Sequence, residues 1–181
     1  KAGDVATLRE AAQLVVGKDY KDKPEAPQGA WMAAGTFQAM GLYADAAEFH
    51  EAIAQSNEKS FQKYEKTKDA AYNAVILRAA LGDNDKAVAN GNRYLSAYGQ
   101  ASEADDVVFQ MGRAHQNAGR DKEAVDLYKR FLARAKSGDD RVRTYVLLAK
   151  AQIKTGDERG ADESLKSAVA LGKRQRGGLS A

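Results

Sequence analysis

Four glycines organise this chain. Gly41, Gly82, Gly119 and Gly156 are each followed five residues later by an alanine, namely Ala46, Ala87, Ala124 and Ala161. The glycine spacings are 41, 37 and 37, so a unit of about 37 residues recurs, with one longer copy. The clearest copy runs from Gly112 to Tyr128, with echoes at residues 80–88 and 154–161 and a less regular one at residues 39–47. Self-similarity at such a period means a stack of like units, each too small to bury its apolar face alone.

The residue types say what the unit is made of. Alanine supplies 35 of 181 residues, and the two prolines, Pro24 and Pro27, share one short stretch. Ala is the best helix former and Pro the worst, so the chain reads as all-α. A Gly between two helical patterns supplies the left-handed residue that ends the first helix. The acids that follow, Asp83 and Asp157, are placed to accept from free N–H groups at the next helix start. The recurrent Ala lies where the second helix approaches the first. Apolar residues follow helical spacing: Val108, Met111 and His115 on one stripe, then Ala124, Leu127, Tyr128 and Phe131 on its partner. Helices are predicted near residues 4–16, 28–40, 43–56, 60–81, 84–97, 103–118, 121–136, 139–155 and 158–172. The extra residues before Gly82, around 56–68, are expected to lengthen a helix and open the array there.

This pattern resembles the tetratricopeptide repeat (TPR), an antiparallel helix pair. In the third unit Gly112 takes the small position of the first helix, Gly119 the turn, Ala124 the small position of the second helix and Tyr128 the following aromatic. The fourth unit matches with Tyr145, Leu148, Ala149, Gly156, Ala161 and Ala168, the second with Tyr72, Asn73, Gly82, Ala87 and Tyr94. The first, around Trp31, Gly41 and Ala46, fits with a possible one-residue shift. The resemblance implies a right-handed superhelical array of antiparallel helix pairs, a TPR-like α-solenoid of about nine helices. Four repeats are expected, near residues 27–60, 68–101, 105–138 and 142–175. They follow an N-terminal helix and loop at residues 1–26, either a cap or the remnant of an upstream repeat, and precede a flexible tail at residues 176–181. Two departures stand out. The usual closing proline is replaced by Gly99, Lys136 and Lys173, and the period exceeds the usual one of about 34. Long repeats with segments such as Tyr94–Gly99 resemble a subgroup of bacterial envelope proteins, including outer-membrane assembly lipoproteins, Tol–Pal-associated proteins and gliding machinery.

Little in the chain suggests catalysis. There is no cysteine, hence no thiolate nucleophile or disulfide framework. His50 reads as a helix-surface residue and His115 as a packing residue, and neither has a metal-ligand neighbour at helical spacing. Asp83-Asn84-Asp85 lacks the glycine and terminal acid of a calcium loop and reads as helix capping. No cofactor or metal is expected. No apolar run, residues 74–77 among them, approaches the length needed to span a membrane. A net charge of +3 comes from acids and bases that alternate along nearly every segment, so a nucleic-acid partner is not favoured.

What remains is a surface. In stacked helix pairs the first helices line the concave face. The fifth position of each unit holds Trp31, Tyr72, Phe109 and Val146, and nearby groove positions hold Asn73, Gln110, Arg113, Gln116 and Lys150. Rings beside amides and cations suit a peptide, yet the same rings can pack between neighbouring helices. The family's carboxylate clamp finds Asn73, Arg113 and Lys150 at roughly suitable positions, but Ile76 stands where it wants a polar group, and that activity is not assigned. The expected function is a non-catalytic scaffold that binds a protein segment in its groove, in a bacterial envelope machine. An oligomerising spacer is the alternative, and a helical-repeat nucleic-acid binder a weaker one. A cysteine-free chain suits a periplasmic or envelope location, with the cytoplasm as the alternative.

Overall fold

The computed structural model describes residues 2–136 and 138–177. Ten helices and no strand occur among them: α1 (Ala2–Val16), α2 (Ala26–Ala39), α3 (Tyr43–Gln55), α4 (Lys59–Gln62), α5 (Thr67–Ala80), α6 (Asn84–Tyr98), α7 (Ala104–Asn117), α8 (Asp121–Arg134), α9 (Gly138–Lys154) and α10 (Glu158–Gly177). Four antiparallel pairs, α2–α3, α5–α6, α7–α8 and α9–α10, stack in order, with α1 laid on α2.

The turns explain the glycines. Gly41, Gly82, Gly119 and Gly156 all adopt φ between 75° and 82°, the left-handed region that a Cβ disfavours. Inside the pairs, Ala46, Ala87 and Ala124 are wholly buried at the helix contacts. Gly112 is needed for the same reason: a Cβ there would stand 2.8 Å from the Tyr128 ring. Three apolar clusters fill the stack. Phe37 and Phe49, stacked at 5.4 Å, anchor the first with Ile53 and Phe61; Val75, Tyr94, Val107 and Met111 form the second; Tyr128, Leu148 and Ala151 form the third. Polar links roughly one repeat apart tie the units together: Arg9 to Asp45, Lys68 to Glu103, Asp85 to Arg120 and Asp121 to Lys154.

The expected helix over residues 60–81 is broken, giving ten helices where about nine were expected. The single proton of Thr67 Oγ1 is shared between the carbonyls of Phe61 (2.6 Å) and Tyr64 (2.8 Å), at the break between α4 and α5. The insertion therefore closes over the first unit instead of opening the array, with Phe61 buried and α4 against α2 and α3. Asp157 caps α10 as expected, accepting from the Gly160 N–H at 2.9 Å. Asp83 does not cap α6, because its carboxylate turns to Arg78 and Lys86. Helix α10 runs on to Gly177, past its expected end and into the expected tail; residues 178–181 lie outside the described residues.

His50 is not a surface residue. It is 2% exposed, neither ring nitrogen has a hydrogen-bond partner, and its ring meets Trp31 edge-on at 5.2 Å. His115 packs half-buried on α7, its Nδ1 accepting from Arg120 Nε at 3.0 Å.

Candidate protein-binding groove

The first helices do not meet evenly. α5 packs directly on α7, whereas α9 reaches α7 chiefly through α8. A groove of about 720 Å³ lies in that gap, bounded by the α6–α7 loop, α7, the C-terminal end of α8 and the start of α9. Helical spacing on α7 turns Asp105, Asp106, Phe109, Gln110 and Arg113 toward it, while Phe131 and Arg134 come from the end of α8, Lys136 from just beyond it, and Asp140 and Arg143 from α9.

Three of the residues expected from sequence, Phe109, Gln110 and Arg113, meet here. Phe109 is half-buried, its ring 5.2 Å from Phe131 and 6.2 Å from Tyr128, so one ring both packs and faces the groove. Gln110 Nε2 donates to Asp106 Oδ1 at 3.3 Å, and Arg113 Nη1 to Gln110 Oε1 at 3.4 Å. Tyr72, on α5, does not line the groove but holds one of its acids, its hydroxyl donating to Asp106 Oδ2 at 2.6 Å. Burial and the Asp106 carboxylate raise the Tyr72 pKa, so the proton stays on Tyr72. Outside the groove, hydrogen bonds from Lys68 hold Glu103 down to about 2, and burial with Glu103 nearby pushes Tyr94 up to about 12.

The other expected residues lie elsewhere. Trp31 is half-buried against the first core cluster. Asn73 is half-buried on α5, and Lys150 is exposed on α9. Gln116 is buried and committed, its Nε2 donating to the Leu147 carbonyl at 3.2 Å and its Oε1 accepting from Tyr128 at 3.0 Å. It bridges units and is not a groove residue. Sequence reading missed Arg134, Lys136 and Arg143, since a groove between non-neighbouring helices has no spacing of its own. A signal did exist in the acids at the helix starts, Asp105, Asp106 and Asp140.

Fold and groove together define a TPR-like α-solenoid, a stack of helix pairs with an open inner surface. Residues 108–142 match the tetratricopeptide repeat family, and no curated protein sequence matches the chain. Among solved structures, the fold is similar to that of MamA (18% identity, 93% of this chain and 88% of that one, TM-score 0.64). It is also similar to a MamA fragment from Desulfovibrio magneticus RS-1 (13% identity, 86% and 78%, TM-score 0.63). A further similar structure is BtubC from P. vanneervenii (18% identity, 86% and 66%, TM-score 0.69).

Proposed function

We propose that this protein is a non-catalytic scaffold that holds a segment of another protein in the groove between α7 and α9. One observation carries the reading: a half-buried ring, Phe109, lies beside the amide of Gln110 and the guanidinium of Arg113 in an open groove. A ring supplies contact area and the polar groups hold a peptide backbone. The test is photo-crosslinking from a benzophenone residue at Gln110, with the exposed Lys129 on α8 as the comparison site. A protein partner should be captured from Gln110 and not from Lys129; capture from Lys129 alone refutes the groove. The finer reading places the scaffold in a bacterial envelope machine. It is supported by the 37-residue period, by segments such as Tyr94–Gly99, and by the lack of cysteine. Cell fractionation that finds the protein only in the cytoplasm refutes it.

An oligomerising spacer is the second reading. Large exposed apolar residues gather at the two ends of the stack, Leu14 and Met32 at one, Val146, Ile153, Leu165 and Val169 at the other. Light scattering that gives a monomer across a concentration series refutes the spacer.

A further inference from the structure

The groove contains charges of both signs, but they are not equally available. Asp105 is spent on Arg134, whose Nε lies 2.8 Å from Oδ1. Both oxygens of Asp106 accept, one from Tyr72 and one from Gln110. Asp140 has a partner of its own. Apart from Arg134, the basic groups are open by comparison. Arg113 is exposed and forms no ion pair among the described residues; its hydrogen bond to Gln110, at 3.4 Å, is at the long limit. Lys136 and Arg143 are exposed and form no ion pair among the described residues. A ligand entering the groove therefore meets unused donors and largely filled acceptors.

From this we infer that the groove selects acidic protein segments, with side-chain carboxylates on Arg113 and Arg143 and an apolar side chain on Phe109. The inference rests on the reading of the groove as a protein-binding site. A guanidinium presents a planar fork of N–H donors that matches a carboxylate, and Arg113 and Arg143 sit on the two helices that flank the gap. A basic segment would face these cations and find the acidic oxygens already accepting. A nucleic-acid backbone also carries acceptors, but it would lay phosphates along Asp106 and Asp140 as well. A peptide can place its charges only where the cations are. Electrostatic complementarity of this kind sets specificity and the association rate more than raw affinity.

The experiment is selection of a random peptide library, displayed with its C-terminus fused so that no peptide ends in a free carboxylate, on the folded full chain. Enriched peptides should be net acidic with an aromatic or aliphatic residue. Synthetic, C-terminally amidated copies should bind at least tenfold more weakly to Arg113→Glu and to Arg143→Glu. Both substitutions are at exposed positions, and circular dichroism confirms folding. Neutral or basic enriched peptides that lose binding in Phe109→Ala overturn the acidic preference and leave the groove standing. Peptides insensitive to all three changes, or no enrichment at all, overturn the groove itself. Displacement of the selected peptides by single-stranded RNA at matched phosphate concentration also overturns the inference, in favour of a general polyanion site.

Discussion

At the scale of single residues, the informative misfit is His50. Helical spacing alone places it in the core, since it lies four residues after Ala46 and three before Ile53 on α3, both buried. Its residue type argued for the surface, and position won. With no polar partner, the imidazole is held neutral: burial lowers its pKa from 6.5 to about 4. The sign of the pH dependence follows. Between those values the unfolded chain binds the proton and the folded chain does not, so stability falls as pH drops from about 6.5 toward 4. The loss is on the order of 3 kcal/mol, and it is absent above pH 6.5. His115, lowered by burial and by Arg120, acts in the same sense to a smaller extent because it is only half-buried. In His50→Leu the fall in melting temperature between pH 6.5 and 4.5 should shrink markedly, while His115→Asn should keep most of it. An unchanged slope in His50→Leu would mean that His50 is not held neutral in the core. Gln116 is the same lesson in milder form: a polar residue on a buried stripe, satisfied by a partner, Tyr128, that no local pattern reveals.

At the scale of helices and helix pairs, most boundaries were legible because glycine conformation and close approach leave marks in sequence. The turn glycines and the buried alanines are such marks, and the pairs follow from them. Side-chain to backbone bonds leave weaker marks. Thr67 marks the break in the helix over residues 60–81 through a side-chain to backbone bond that periodicity does not encode, and Asp83 gives up its cap to Arg78, which is buried and also bound to Glu51. The pairing itself is testable at the α7–α8 contact, where the Gly112 backbone meets the Tyr128 ring and Ala124 is fully buried. Replacing Gly112 or Ala124 by Leu forces extra volume into a packed contact and should cost about 1–3 kcal/mol. Lys122→Leu, at an exposed position of the same helix α8, should change stability by well under 1 kcal/mol. Equal melting temperatures for Ala124→Leu and Lys122→Leu would remove the basis for this register.

At the scale of the whole molecule, stability passes from neighbour to neighbour, since each pair buries its apolar faces against the next. Sequence shows such an array through its period, but it does not show where two first helices part, because that depends on how all the intervening pairs stack. The gap between α7 and α9 was invisible for that reason, even though Phe109 and Arg113 were in view. The same neighbour rule sets what the N-terminal helix does. Leu8, Ala12, Val15 and Val16 of α1 pack into the cluster that holds Ala30, Ala34, Phe37 and Trp31, and Arg9 pairs with Asp45 at 2.6 Å. Gly29 lets α1 come close, for a Cβ there would stand 2.8 Å from Val15. Removing residues 1–25 should therefore uncover the first pair and loosen it before the others. Trp31 is the only tryptophan, so its emission reports this directly and should shift to the red. Hydrogen exchange should rise most in α2 and α3 and fade along the stack, since α7 and α8 lie beyond two further interfaces and α9 and α10 beyond three. Equal loosening along the whole array would mean that it folds as one cooperative block; an unchanged α2 with unshifted Trp31 emission would mean that α1 is an appendage and the first pair closes on its own.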